Sequence, residues 1–411
     1  MVPGQNDHTL VAPDSHAVFA ATLAEGGPPS DDSSPKMMKG TIVRTTVLPR
    51  IDAASGVPTI VDDTRERYVA GKLLGEGGVG EVVRATDNDI ARPVAIKRIR
   101  SQVKSAATML RFVEEIRTIG QLEHPNIVPI HDVGVDENGD YFFVMKYVEG
   151  ETLEQIIEKL AAGDPAYHAK YTVAHRIQIF LGILDAIAHA HTRGFIHRDI
   201  KPANVMVGAH GQVMVMDWGI AKRVGAPDTA AMFEANVGAG TRLHQTAIGA
   251  LIGTPAYMAP EQARGEAATE KSDIYSLSVL FFELLTLKHY LDDCTTLDTM
   301  LDGVKHRIPP IAGRVPSAHQ RPTPMDLSWY LKAGRAKDPS ERFASVDAMI
   351  ERLHLRAQGI IPIQCHITFA KSMVGKTMRV VDRYPVQVSI AMLLGVASSI
   401  GGLSVLLTQA L

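Results

Sequence analysis

Two short stretches constrain this chain more than any other part of it. One is His197-Arg198-Asp199-Ile200-Lys201-Pro202-Ala203-Asn204; the other, thirteen residues after Asn204, is Asp217-Trp218-Gly219. Between them Val205-Met206-Val207 and Val213-Met214-Val215-Met216 flank the turn residues Gly208-Ala209-His210-Gly211. That pattern reads as a hairpin of two short apolar strands. Such a ribbon holds Asn204 and Asp217 together at one end, where an amide oxygen and a carboxylate can share a divalent cation. Asp199 faces the same space. A lone His-Arg-Asp would be an ordinary solvated tripeptide; the full set at this spacing is far more specific.

The segment upstream decides what accompanies that centre. Val69–Leu74 reads as a strand that runs into Gly75-Glu76-Gly77-Gly78-Val79-Gly80, followed by a second strand, Glu81–Thr86. A G-x-G-x-x-G run also opens dinucleotide-binding βαβ units, but those need a helix straight after the third glycine. Here a β-rich run follows, then the turn Asp87-Asn88-Asp89 and a third strand, Val94-Ala95-Ile96-Lys97. The glycines therefore sit at a hairpin tip, where backbone without Cβ atoms can approach phosphate oxygens closely. A helix follows from about Ala106 to Leu122, with Leu110, Val113, Ile116 and Leu122 as its apolar face. Val128–Val133 and Tyr141–Val148 read as two further strands. Thr152 opens a helical region, with helices at Leu153–Leu160 and Val173–Thr192; the Gly163–Lys170 connection between them is slightly long.

Taken together, these motifs resemble the eukaryotic-like serine/threonine protein kinases of bacteria, with H-R-D-x-K-P-x-N, D-F-G and the third-strand V-A-I-K lysine in order. Trp218 departs from the family's usual Phe. Gly253-Thr254-Pro255-Ala256-Tyr257-Met258-Ala259-Pro260-Glu261 resembles the end of the activation segment. Ser272-Asp273-Ile274-Tyr275 resembles the start of the large central helix, and Asp338–Phe343 the closing motif, in which Arg342 pairs with Glu261. The resemblance covers roughly residues 68–355. It implies an α+β bilobal fold: a five-stranded antiparallel N-lobe sheet with one helix, and a mainly helical C-lobe.

What the resemblance implies for chemistry is specific. ATP with Mg²⁺ or Mn²⁺ would be bound by Gly75, Glu76, Gly77, Gly78, Val79 and Gly80 of the loop, by Val82, Ala95 and Lys97 of the strands, and by Glu115. Met145 is the gatekeeper, and Tyr147 and Val148 belong to the hinge. Glu115 is favoured as the ion-pair partner of Lys97, with Glu114 as the alternative. Asn204 and Asp217 would hold the metal. Asp199 would accept or orient the substrate hydroxyl proton, and Lys201 would steady the γ-phosphate. Thr254 would bridge Asp199 and Lys201, and Asp273 would anchor the catalytic-loop backbone. Arg198 beside Asp199 suggests control by activation-loop phosphorylation, with Thr246 the first candidate and Thr241 the second. Two rival readings exist: a kinase-like scaffold without activity, and a small-molecule kinase of the same fold. The filled chemical positions argue against the first, and the Gly253–Glu261 segment, which positions peptide substrates, against the second.

The remaining chain suggests an arm and an anchor. Residues 1–64 are rich in Pro, Gly, Ser, Thr and Asp, with eight acidic and four basic residues. They are expected to form a mostly disordered arm without a signal peptide. Residues 65–355 form the kinase-like domain and 356–384 a basic juxtamembrane linker. The P-loop-like Gly375-Lys376-Thr377 lacks the glycine that motif needs at position 370, which is Ala. From Tyr384 to Leu411 there are 28 residues without a charge, so residues 385–408 are expected to cross a membrane once. The preceding cations place the domain on the cytoplasmic side. Ala391, Gly395 and Ser399 share the small-xxx-small spacing that can pack helices in lipid, which makes a homodimer a candidate. A net charge of −3, with no basic run and no zinc-ligand spacing, argues against nucleic acid as a partner. Two cysteines without a motif fit a reducing compartment.

Overall fold

Period-two alternation along the central strands, which are buried on both faces, builds the N-terminal half. In the computed structural model, which describes residues 45–52, 58–61, 65–76, 80–99, 105–136, 139–223, 255–395 and 398, a small ribbon pairs β1 (Arg50–Asp52) with β2 (Thr59–Val61). The main sheet has five antiparallel strands in the order β3-β4-β5-β7-β6. These are β3 (Tyr68–Glu76), β4 (Gly80–Asp87), β5 (Arg92–Ile99), β6 (Ile130–Val135) and β7 (Tyr141–Lys146). With a side-chain period of two, neighbouring residues face opposite ways. Val83, Val94, Ile96, Phe142 and Val144 form a small outer cluster with Tyr68, while Val82, Ala95, Phe143 and Met145 face the main inter-lobe core. Lys97 lies on that second face, in register with Val82 on one side and Phe143 on the other.

One helix, α1 (Ala106–Gln121), covers the sheet, its start capped by the Ser105 hydroxyl accepting from the Thr108 amide. Its buried side is Phe112, Glu115, Thr118 and Ile119, whereas Leu110 is exposed. Of the apolar face read from Leu110, Val113, Ile116 and Leu122, Leu122 is buried and Ile116 packs against the inter-lobe core, while Leu110 is turned outward. The physical reason is that the helix turns a carboxylate inward to meet Lys97, and a hydrophobic period cannot anticipate a buried charge. Its phase also decides between the two glutamates: Glu115 is buried and Glu114 is not.

The C-terminal half is helical around α4 (Val173–Thr192) and α6 (Glu270–Thr286), whose Phe180 and Phe281 rings stack 3.9 Å apart. Around them lie α2 (Leu153–Ala161), the short α3 (Pro165–Lys170), α5 (Pro260–Ala263), α7 (Leu297–His306), α8 (Met325–Gly334) and α9 (Val346–Ala357). Helix α2 begins with a reciprocal capping box between Thr152 and Gln155. Helix α4 delivers the chain through β9 (Phe195–Ile196) into the loop that carries Asp199. The expected hairpin is β10 (Val205–Gly208) with β11 (Val213–Val215), in register Val205↔Val215; β8 (Gly150–Thr152) joins its other edge. Asn126 Nδ2 donates to the Val213 carbonyl at 2.8 Å, and the Val128 amide to that of Val215 at 3.2 Å. These bonds fix the segment between α1 and β6 to the hairpin. A last short strand, β12 (Lys222–Arg223), pairs with β9.

Three sequence expectations change. The Gly163–Lys170 connection contains α3, which Asp164 caps and Pro165 starts. The arm before residue 65 contains the β1–β2 ribbon and a bridge from Thr45 to Glu66. Residues 356–384 are not a linker: α10 (His366–Arg383) is an 18-residue helix docked on the domain. Its basic residues suggest a solvated tether, but Asp326 on α8, already paired with Arg356 of α9, also pairs with Lys371 of α10 and gives the helix a seat. Beyond Tyr384, residues 385–395 are helical. Among the described residues no helix is long and apolar enough to cross a membrane; most of the second half of the expected span lies outside them. Thr241, Thr246 and Thr254, and the loop residues Gly77, Gly78 and Val79, also lie outside the described residues.

Candidate active site

A cleft between the halves gathers most of the expected site. Its apolar part is lined by Val82, Val128, Phe143, Met145 and Met216, its polar end by Lys97, Glu115, Asn204 and Asp217. Ala95, Tyr147 and Val148 are buried in the same core cluster. Gly80 begins β4 so close to β5 that a Cβ there would lie 2.4 Å from the Arg98 carbonyl oxygen. The glycine is thus required for strand packing as well as for any approach to phosphate.

Lys97 is the electrostatic centre. Its Nζ lies 2.6 Å from Glu115 Oε1 and 3.5 Å from Asp217 Oδ1. Burial pushes the ammonium down, but the Glu115 and Asp217 carboxylates outweigh it, and the net shift is upward. Lys97 therefore stays charged at neutral pH, where it can act as a point charge for a phosphate. Burial pushes the Glu115 carboxyl up, against the pull of Lys97.

The catalytic-loop side is held by a carboxylate beneath it. Asp273, at the start of α6, accepts from the His197 amide (2.8 Å), the Arg198 amide (3.0 Å) and His191 Nε2 (2.8 Å). Burial pushes its carboxyl up, and the His191 and His197 contacts bring it below the usual carboxylate range. Arg198 and Asp217 both take left-handed backbone (φ 69° and 57°), uncommon for residues with a Cβ and typical of functional turns. Arg198 Nε donates to the Ile220 carbonyl at 2.5 Å. Lys201 Nζ lies 2.9 Å from Asp199 Oδ2. Asn204 Nδ2 donates to the Asp199 carbonyl (2.9 Å) and to Asp199 Oδ2 (3.2 Å). Both contacts use the amide nitrogen, so the Asn204 amide oxygen is the atom left to face a cation.

Trp218 packs where the sequence places a large apolar anchor. It is 1% exposed, with its ring 4.5 Å from that of His197, and its indole N–H has no partner among the described residues. Gly219 follows: a Cβ there would meet Glu115 Oε2 at 3.2 Å. Away from the cleft, Arg342 and Glu261 form a buried bidentate pair at 2.7 and 2.8 Å.

Sequence reasoning missed two features. Met206, Met214 and Met216 belong to the inter-lobe core; the hairpin was legible, but not which face it would turn to the cleft. His191 joins Asp273 across 82 residues, a contact that no local pattern announces.

The donor set suits a hard cation bound with substrate phosphates. Among the described residues no group of three or more His, Cys, Asp or Glu could enclose a metal. An Asp–Asn pair with open positions is what Mg²⁺, which keeps waters and phosphate oxygens as ligands, requires.

Comparison with known proteins gives the same answer over the same region. The protein kinase domain model matches residues 68–352. The chain is 34% identical over 294 residues to the serine/threonine-protein kinase PknD of Protochlamydia amoebophila, covering 70% of this chain and 30% of that one. It is 33% identical over 287 residues to the probable serine/threonine-protein kinase SCO3848 of Streptomyces coelicolor, covering 69% and 39%. With the PknD of Chlamydia caviae it shares 33% identity over 299 residues, covering 72% and 31%. The chain thus spans about a third of the length of these curated relatives. By the span matched and the residues gathered in its cleft, this chain belongs to the protein kinase domain family.

Proposed function

We propose that the chain transfers the γ-phosphoryl group of ATP to serine or threonine hydroxyls of proteins, its own included. The observation that carries this reading is the buried Lys97–Glu115 pair reaching Asp217, opposite Asp199, Lys201 and Asn204. The apolar part of the cleft suits a flat adenine, with Met145 at its back and the backbone of residues 146–148 as hinge. Lys97, held by Glu115, positions the α- and β-phosphates. Asn204 and Asp217 would hold Mg²⁺, which would supply charge neutralisation for the phosphates. Asp199 accepts or orients the proton of the attacking hydroxyl, and Lys201, tied to the same carboxylate, adds positive charge beside it. The relatives named as serine/threonine-protein kinases support Ser/Thr as the acceptor.

The same proposal places the domain at the cytoplasmic face of a membrane. The 28 uncharged residues from Tyr384, preceded by Arg356, Lys371, Lys376, Arg379 and Arg383, support a single crossing over 385–408. The small-residue spacing there supports pairing of two copies. Phosphorylation of Thr246 or Thr241 would order the activation segment through Arg198.

The test incubates full chain in lipid with ATP and Mg²⁺ beside Asp199→Asn and maps phosphate by mass spectrometry. Phosphoserine or phosphothreonine in the parent alone is the expected result. Nucleotide binding without phosphate in either would overturn the enzyme reading in favour of a scaffold. Full activity after Thr246→Ala, Thr241→Ala and both together would remove those sites from the proposal.

A further inference from the structure

We propose that α10 lies along an anionic bilayer surface, so that the kinase domain is clamped flat against the membrane instead of hanging from a tether. The helix has two unlike sides. One is small and polar and seats on the domain: Thr368 and Ser372 are buried, and Gly375 backs onto Gly359 so closely that a Cβ would lie 2.4 Å from the Gly359 oxygen. Lys371 Nζ binds Asp326 Oδ1 at 2.5 Å, and Arg379 Nη1 donates to the Gln358 carbonyl at 2.9 Å. The other side turns Phe369, Met373, Val380, Val374 and Met378 outward, Val374 being 63% exposed. At helical spacing these form one broad apolar face opposite the seat. A contiguous apolar face of this extent marks an interaction surface.

Two observations select a lipid surface as the occupant. Lys376 and Arg383 are exposed beside the apolar face, and the helix carries four Lys and Arg against the single acid Asp382. Cations flanking an apolar face are what an amphipathic helix lying in an anionic interface requires, because their stems bury while their charges reach headgroups. Secondly, the helix leads, across one non-helical residue at Tyr384, into exposed Val386 and Ile390, the start of the uncharged segment. The inference rests on the reading that residues 385–408 enter a bilayer, which sets where the lipid is. Asp326 then becomes the fastener: burial pushes its carboxyl up, but Lys371 and Arg356 hold it below the usual carboxylate range, so it stays charged at neutral pH.

The test uses full chain in a Cys365→Ser background, Cys294 being buried. Single nitroxide labels are placed through Met373→Cys, Val380→Cys, Lys376→Cys and Ile390→Cys, in vesicles of three parts phosphatidylcholine to one of phosphatidylglycerol. Relaxation by oxygen, which concentrates in lipid, is compared with relaxation by a water-soluble nickel chelate. Oxygen should dominate at 373, 380 and 390, and the chelate at 376. Lipid exposure at 390 with chelate exposure at 373 and 380 would overturn the α10 proposal and leave the anchor standing. Chelate exposure at 390, or failure of the chain to float with vesicles, would overturn both. A label at 373 or 380 shielded from both agents, and broadened by the same label on another copy at every lipid ratio, would mean that a second copy covers the face, which also overturns it.

Discussion

The buried cation–carboxylate pairs Arg342–Glu261 and Lys97–Glu115 differ in every respect that matters for function. Arg342–Glu261 is closed: two parallel hydrogen bonds join the partners, Arg342 also donates to the Ala336, Lys271 and Lys337 carbonyls, and Ser272 donates to Glu261. Lys97–Glu115 is open: one short contact joins the partners, and a second carboxylate, Asp217, waits 3.5 Å from the same ammonium. A guanidinium fork spends its donors on fixed neighbours, whereas an ammonium is a point charge that can be shared. The closed pair fastens the end of the activation segment to the C-lobe. The open pair lines a cleft and can turn toward a phosphate.

The difference predicts opposite failures. Lys97→Met should lower the phosphorylation rate by roughly 10²–10⁴-fold while thermal unfolding moves little, because Glu115, already pushed up by burial, can take a proton once its partner is gone. Activity within a few-fold of the parent would break the comparison on its functional side. Arg342→Ala should do the reverse in urea unfolding, with stability falling by about 3–5 kcal/mol, the usual cost of stranding a buried charge. In the parent, burial pushes the Glu261 carboxyl up, but Arg342 and Ser272 hold it below its usual range, so losing Arg342 leaves a desolvated carboxyl and the Ala336, Lys271 and Lys337 carbonyls without their donor. Replacing both partners, Arg342→Met with Glu261→Leu, should recover part of that loss.

Another carboxylate, Glu283, sharpens the point, since among the described residues it has no cation as partner. Glu283 accepts from the Tyr257 hydroxyl at 2.5 Å, and burial together with Asp292 and Glu154 pushes it up to about 7. An acid raised in the folded state holds a proton that the unfolded chain has released, so stability falls as pH rises from the ordinary glutamate range to about 7. Glu283→Gln keeps an acceptor for Tyr257 and removes the titration. Its melting temperature should therefore fall less than the parent's between pH 5 and pH 8, by the equivalent of roughly 1–3 kcal/mol. Equal slopes in both proteins would show that Glu283 is ionised throughout.

How far these sites were legible in the sequence follows from the range of the forces involved. Asp199, Lys201, Asn204 and Asp217 were legible because their chemistry demands fixed types at short spacing, and a two-strand hairpin brings them together. Helix α1 was legible as a helix and only in part in its phase: Ile116 and Leu122 meet the core, but apolar periodicity also pointed to Leu110, which is exposed, and the inward turn of Glu115 is set by Lys97, eighteen residues away. The seat of α10 was illegible for a similar reason, because Asp326 lies 45 residues before Lys371. Local pattern reports what a segment can be; a buried charge reports what it meets, and that partner belongs to another element.

The smallest expected effect concerns Trp218, which stands beside the open pair yet has a defect of its own. Its ring fills the space against His197, but its indole N–H is buried without a partner among the described residues. An unsatisfied buried donor costs roughly 1–3 kcal/mol, while trimming a large aromatic to a smaller one leaves a cavity that costs a similar amount. In Trp218→Phe the two terms oppose each other, so unfolding free energy should change by less than about 1 kcal/mol and the phosphorylation rate by no more than a few-fold. A gain well beyond that would mean the unpaired donor dominates and that the chain tolerates a standing cost at this turn. A comparable loss would mean that indole volume, not its polarity, holds Asp217 in its left-handed backbone beside Lys97. Trp218→Leu separates the cases further, since it removes the donor and the ring together: stability should then fall while the Lys97–Glu115 pair stays formed.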